Sequence, residues 1–561
     1  MNSLSARVLT LTSFAELSFS SFAPSASNTS KKSARQLRLK LSLHALAVSL
    51  LILGAASPCL ATTFAVTNPN DSGPGSLRAA LSAAANGDTI NLCVTGTITL
   101  TSAQLEIATN VTINGPGAAN LAISGNGQFT VFQVDSAVTE AAISGVTIAN
   151  GYASSTAGGG INNQGTLTLA FSTVTGNINS ADGASGEAIN NQGTLTLSNS
   201  IVSDNISSND GAGIYNSGTL TLSYSTLSGN GAGLPGASGG GIFNTGTGTA
   251  RVSYTTVSGN SVHDGGLGAG IYNSGTLTLS NSTVSDNSDF FGSGAGIYNS
   301  DTLTVSYSTL SGNSAFLDFG GAIFNDGTGT LMVTNSTLSD NSAPSGDGGA
   351  ILNLGTLTMT NSTLSGNSVP GEGDGGAIYN DGTLTVSFST LSGNSLPDGG
   401  RGGAIYNGAG TLILKSTLLA GQTSGGNCYD QGGSPSSDGY NLSDDSTCSF
   451  LTQTGDQNDS TTAGLSPSGL QNNGGPTETI ALLPTSSAVG AIPPRACTDA
   501  FGNRVSTDQR GIPRPQGRCD IGAYELSHRQ LHSKPAANDT KNRATAPFAG
   551  CWEELCDLCR E

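Results

Sequence analysis

The sequence predicts an all-β fold in which one chain winds as a single-stranded, right-handed parallel β-helix. Three observations predict it. First, a unit such as "GGAIYNDGTLTVSFSTLSGNS" (375–395) recurs, with its Ile at Ile161, Ile189, Ile214, Ile242, Ile271, Ile297, Ile323, Ile351, Ile378 and Ile405. The steps run from 25 to 29 residues, and a near-fixed period in this range marks a solenoid. Second, "TLTVSF" alternates polar and apolar residues with the period of two that a strand needs, not the 3.6 of a helix. Third, Gly and Asn punctuate each unit, and both tolerate the left-handed backbone of tight corners.

Three strand-like pieces fit each unit: "GAIYN", "TLTVS" and "TLSGN". Stacked coils would lie about 4.8 Å apart, the spacing of paired strands. One coil buries too few apolar side chains to offset the entropy of ordering it, so coils gain stability only from their neighbours. Composition agrees. With 79 Gly in 561 residues, 36% hydrophobic and 10% charged residues, the chain suits a narrow core with much surface.

Residues 1–61 read as a signal peptide with an extended n-region. "KKSARQLRLK" is basic, "LSLHALAVSLLILGAAS" is apolar, and "PCLATT" offers a small-residue exit after Ala61. The apolar run is short for a membrane span. Residues 62–157 read as a cap with irregular first coils, in which "SLRAALSAAANG" predicts a short helix with a Ser cap. Residues 158–420 carry the regular coils. Residues 421–525 form a Cys-bearing C-terminal region, and 526–561 are expected to be a disordered tail.

Two Asn columns follow the repeat. One runs through "SGN" or "SDN" from Asn177 to Asn394; the other lies two residues after each Ile, from Asn216 to Asn407. Both read as structural ladders, because stacked amides can bond one another up the solenoid.

An aromatic column is the sharper functional candidate. The residue after each Ile is Tyr215, Phe243, Tyr272, Tyr298, Phe324, Tyr379 or Tyr406, with Leu352 interrupting. Strict alternation turns these rings outward if Ile faces in. Exposed rings suit sugar faces or a partner protein; a corner that packed both residues inward would make them core.

The formal charge is −18, with 38 acidic residues against 20 basic ones. Between Arg78 and Arg495 the basic residues are Arg251, Arg401 and Lys415. Such a surface excludes nucleic acid and anionic membrane as partners, since phosphate binding needs Lys and Arg. A polysaccharide, or a host or cell-surface protein, is the expected partner. No membrane-spanning segment is expected in the mature chain, and no cofactor, metal site or calcium motif is recognisable.

Cys428 with Cys448, and Cys497 with Cys519, each bracket a loop of about 20 residues. In an exported protein they read as loop-stapling disulfides, worth about 3 kcal/mol each on a chain-entropy model. Cys93 reads as a buried free thiol, and Cys551, Cys556 and Cys559 fall short of the four ligands of a closed zinc site.

Catalysis finds little support. A polysaccharide lyase needs an Arg or Lys base beside cations, yet the three basic residues lie in different coils. A glycoside hydrolase needs clustered carboxylates. Asp204, Asp286 and Asp340 alternate with Gly at one corner, Asp347, Asp374 and Asp398 sit in loops, and His263 is alone. The expected function is therefore non-catalytic: an exported cell-surface or secreted protein, adhesin-like or structural. The alternative is a polysaccharide lyase or glycoside hydrolase on the same fold, with its site near Asp374, Asp398 and Arg401.

"GGAIYN" followed by "STLSGNS" resembles the GGAI and FxxN repeats of polymorphic outer-membrane proteins. "TTFAVTNPNDSGPGSLRAAL" with "NVTINGPG" is similar to the start of secreted bacterial β-helix proteins. "NNGGPTETIALLPTSSAVGA" with "TDQRGIPRPQGRCDIGAYE" resembles their choice-of-anchor C-terminal region. The resemblance spans 63–525 and implies a pectin-lyase-like solenoid, exported and either displayed, including at an outer membrane, or released. It implies no settled activity. The sequence departs from it in lacking room for a membrane β-barrel after Ala420 and a recognisable sorting motif after Leu526.

Overall fold

The computed structural model describes residues 61–153, 158–179, 186 and 188–526. The expected leader up to Leu60 and the tail from Ser527 lie outside the described residues. Among the described residues no helix is long and apolar enough to cross a membrane.

Each coil starts on a three-residue strand such as Ile271–Asn273, turns into a five-residue strand such as Thr276–Ser280, and turns again into a three-residue strand such as Thr283–Ser285. Like strands pair in parallel and in register from coil to coil, for instance Ile271 with Ile297 and Thr276 with Thr302. The result is a right-handed parallel β-solenoid with sheets of 13, 15 and 14 strands. We call these the first, second and third sheets, in the order a repeat coil visits them.

Alternation builds the core. In Thr276–Ser280 the two Leu are buried and the Thr and Ser face out. Ile271, Leu277, Leu279 and Val284 are all fully buried, and the same four positions stack through the repeats into one continuous apolar column. The bottom is closed by the helix Leu77–Ala83, which buries Leu77 and Ala80. Its cap is Ser76, which accepts a hydrogen bond from the Ala79 amide. Asp71 ties helix to first coil by accepting from Arg78, Thr101 and Ser102. Burial opposes ionisation of Asp71, but those hydrogen bonds and the Arg78 charge hold it down to about 2.

Both Asn columns are ladders. From Asn177 to Asn394 each buried Nδ2 donates to the next Oδ1 at 2.8–3.0 Å. Gln422 caps the series, its Oε1 accepting from Asn394 at 3.1 Å. The second ladder starts lower than expected, at Asn163, runs at 2.7–2.8 Å, and ends on the Asp430 carboxylate.

The structure departs from the three-strand coil. After the "SGN" corner the lower coils continue into two-residue strands, from Tyr152–Ala153 to Ser314–Ala315, which pair into a seven-stranded fourth sheet. The chain stays extended there before looping back, so its amides find partners one coil away.

A second unexpected feature is the corner between the second and third sheets. Phe171, Tyr224, Tyr254, Tyr307 and Phe388 occupy it with φ of 49–50°, a region that is uncommon for bulky residues. The following Ser or Thr pins this conformation. Ser225 Oγ, for example, donates to the Ser223 carbonyl across Tyr224 at 2.8 Å and accepts from the Ser200 amide below.

Residues 421–526 are not a free module. The chain passes through three short strands of the last coils, Cys428–Asp430, Ser434–Ser437 and Leu442–Ser443, and then folds back over the side of the solenoid. Gln509, Thr477, Thr498 and Thr507 bond residues between Asn335 and Lys415. A second apolar core forms underneath, from Phe388 and Leu418 to Ile521 and Tyr524. Cys428–Cys448 and Cys497–Cys519 are disulfides. Cys93 is also disulfide-bonded, which corrects the expected buried free thiol. Strand alternation buries Leu92 beside it and leaves Cys93 only half-buried, accessible for pairing.

Candidate functional site

The aromatic column lies on the outer face of the first sheet. Every repeat Ile is fully buried, so its neighbour points outward, as strict alternation requires. The column begins as amides, Asn162 and Asn190, and becomes aromatic at Tyr215, which pairs in register above Asn190. Tyr215, Phe243, Tyr272, Tyr298 and Phe324 stack at centroid distances of 4.5–5.3 Å, with planes 2–6° apart. Leu352 interrupts, and Tyr379, Tyr406 and Tyr429 resume the stack at 4.8 and 5.3 Å.

This geometry answers the choice that alternation left open. The rings are half-buried, with Tyr406 and Leu352 buried, because each ring covers the next. The ring faces are used on one another, and the outward surface is a ribbon of edges and phenol hydroxyls. Tyr429, absent from the sequence-derived column because its coil lacks the Ile, extends it by one ring.

Carboxylates line the ribbon. Tyr298 Oη donates to Asp326 Oδ2 at 3.2 Å and Tyr379 Oη to Asp381 Oδ2 at 3.4 Å. Burial first, and nearby carboxylates second, raise the phenol pKa of Tyr272, Tyr298, Tyr379 and Tyr406. The hydroxyls of Tyr298 and Tyr379 thus stay protonated and donate to their carboxylates. Near the top, Arg401 lies over the Tyr429 ring at 4.6 Å and donates to its hydroxyl.

The loop acids prove to be coil staples. Asp347 Oδ1 accepts from the Asp374 amide, and Asp374 Oδ1 from the Arg401 amide, both at 2.7 Å. Asp210 serves the Ser238 amide in the same way. Asp398 and His263 are exposed. Asp204, Asp286 and Asp340 take the left-handed corner at φ 55–57°, and each leans over a Gly of the next coil. A Cβ on Gly229, Gly312 or Gly366 would meet the Asp Oδ1 at 2.5–2.8 Å, which explains why each Asp of this corner is followed by a Gly in the next coil. The basic residues are not brought together. Arg251 stands exposed on the second sheet, and Lys415 Nζ donates to Thr498 at 3.0 Å. Among the described residues no group of three His, Cys, Asp or Glu is placed to hold a metal ion.

Sequence reasoning missed one exposed apolar patch. Phe290, Phe291, Phe316, Leu317 and Phe319 are 37–46% exposed. They sit in inter-coil loops whose lengths vary, so no periodic signal announces them. Phe290 stacks on Phe316 at 5.1 Å.

The family model described as the right-handed beta helix region matches residues 160–330 and 237–369. Over those residues the chain is similar to that family. Among solved structures, the catalytic domain of a GH87 alpha-1,3-glucanase in complex with tetrasaccharides shares 13% identity, with a TM-score of 0.29; the match covers 68% of this chain and 67% of that one. Pectate lyase Pel9A shares 13% identity with a TM-score of 0.25, over 83% of this chain and 96% of that one. No curated protein matches the chain.

Proposed function

We propose that this is an exported protein, displayed at the cell surface or released, that binds a neutral polysaccharide along the first-sheet ribbon without cleaving it. One observation carries the reading: the two ring stacks, Tyr215 to Phe324 and Tyr379 to Tyr429, with the carboxylate acceptors Asp326 and Asp381 beside the phenols of Tyr298 and Tyr379. An extended glycan offers apolar C–H surface to ring edges and hydroxyls to the polar rim. Acidic flanks disfavour uronates, because like charges repel without a compensating cation. Export is supported by the signal-like leader, by the disulfides of the C-terminal region, and by the likeness of that region to choice-of-anchor segments.

The purified chain is incubated with neutral and acidic polysaccharides, with and without Ca²⁺, and both retention and soluble products are measured. Neutral chains are expected to be retained, with no new reducing or unsaturated ends. Asp326→Asn with Asp381→Asn should weaken retention while leaving the melting midpoint near that of the parent. Retention of acidic chains alone would refute the reading.

A second reading, glycoside hydrolysis, has its own observation. Asp347, Asp374 and Asp381 lie near enough to Tyr379 and Tyr406 to perturb their hydroxyls. New reducing ends that disappear in Asp374→Asn would establish it in place of the first.

A further inference from the structure

The outer face of the second sheet is a lattice of hydroxyls, and none of the functions considered above uses it. Its first outward column is Thr in every repeat coil, from Thr166 to Thr411, paired in register throughout. The second column, two residues on, is also Thr except at Arg251, Met332 and Ile413. A third column of Ser and Thr runs from Ser198 to Ser387. Parallel pairing without register shifts makes this face regular in two directions. Rows lie about 4.8 Å apart, and columns about 6.6 Å apart, twice the rise per residue of a parallel strand.

Three further properties set the face apart. In a chain with 38 acidic residues, the outward positions of this sheet from Thr166 to Ser387 hold no carboxylate, and Arg251 is their one charge. They also hold no aromatic ring; the exposed rings of Tyr224, Tyr254 and Tyr307 stand at the adjoining corner, outside the lattice. The hydroxyls of Thr276, Thr278 and Thr304 make no hydrogen bond within the described residues, whereas the C-terminal region engages third-sheet Thr337, Thr363 and Thr390 and covers the top of the second sheet, burying Thr385 and Ser387, so the open lattice lies in the coils below.

We propose that this face binds ice. Oxygen rows on the prism faces of ice repeat at distances close to the two spacings of the Thr lattice. Thr supplies a methyl that orders first-shell water and a hydroxyl that anchors it. Its β-branched side chain is stiff at χ1, so the array is ordered before ice arrives. An uncharged lattice is complemented by a face whose outward positions carry one charge, Arg251, and no carboxylate.

Ice is grown slowly from a solution of the full chain, and the fraction carried into the solid is compared with that of an acidic globular protein of similar mass. The full chain is expected to enter ice several-fold more than the control. Thr278→Tyr with Thr304→Tyr should reduce it to the control level. Thr278→Val with Thr304→Val, which keeps shape and β-propensity, should also reduce it in protein whose melting curve is unchanged. Thr283→Tyr, on the outward face of the third sheet, should partition like the parent. Exclusion of the parent chain from ice overturns the proposal. So does parental behaviour of both double variants, or a loss in Thr283→Tyr equal to theirs.

Discussion

Gln509 and Thr363 are 146 residues apart in sequence, yet the Thr363 hydroxyl donates to Gln509 Oε1 at 2.6 Å in a fully buried contact. The Gln509 amide donates in turn to Thr337, Thr477 and the Ser336 carbonyl. One side chain thus bolts the C-terminal region to two coils. Gln509→Ala leaves these partners unpaired, at about 1–3 kcal/mol for each orphaned group. The expected outcome is faster proteolysis between Leu465 and Leu526, with the lower coils as resistant as before.

The "SGN" ladder should be sensitive at any rung. Asn287 donates to Asn313 and accepts from Asn260 through both its amide and its side chain. Asn287→Ala strands both neighbours and should cost about 3 kcal/mol or more, read as a lower denaturant midpoint.

At the adjoining corner a Gly follows each Asp for a steric reason that a mutation can test. Gly312 has φ of 65°, and an added Cβ would lie 2.6 Å from Asp286 Oδ1. Gly312→Ala should destabilise by about 1–2 kcal/mol from backbone conformation alone, and by more from the clash. Asp286→Gly should recover only the excess. Full recovery in a melting experiment would refute the split.

Asp289 stands in a column otherwise filled by Val262 below and Ala315 above. Neither oxygen reaches good hydrogen-bond geometry, although the Phe291 and Gly292 amides lie close by. Burial pushes its carboxyl up to about 8. Glu525 is pushed up to about 7, burial outweighing the pull of Arg514. An acid raised on folding binds its proton more tightly in the native state. Stability should therefore fall as pH rises from about 4 to about 8. Asp289→Ala should flatten much of that slope and stabilise the chain by about 1–3 kcal/mol near pH 8. Asp71 works in the opposite sense: its contribution is present at neutral pH and is lost as pH falls toward 2.

The ring ribbon is part scaffold and part candidate surface, and the two roles separate by substitution. Tyr272→Ala opens a gap between Phe243 and Tyr298 and should cost about 1–3 kcal/mol. Tyr298→Phe keeps the stack and removes a hydroxyl, so it should leave the melting midpoint unchanged and lower glycan retention. Retention equal to the parent's would show that the hydroxyl rim plays no part.

Much of this was written in the repeats. The Ile period, the Thr-Leu alternation and the two Asn columns determine the coil, its inward face and its ladders, because each is a local pattern copied at fixed spacing, and stacking in register turns a sequence column into a spatial one. The cysteine spacing likewise anticipated Cys428–Cys448 and Cys497–Cys519. Other features are invisible locally. That aromatic rings would spend their faces on one another follows from the distance between coils. The left-handed corner at Tyr224 and Tyr254 runs against residue preference and exists because Ser225 and Thr255 bridge it. The docking of Gln509 on Thr337 and Thr363, the burial of Asp289 among Val and Ala, and the carboxylate-free Thr lattice were decided only when distant residues were brought together. Sequence by itself determined how the chain winds, since winding is a neighbour-to-neighbour problem repeated. Tertiary structure decided which faces are covered and which remain open, since burial depends on every coil at once.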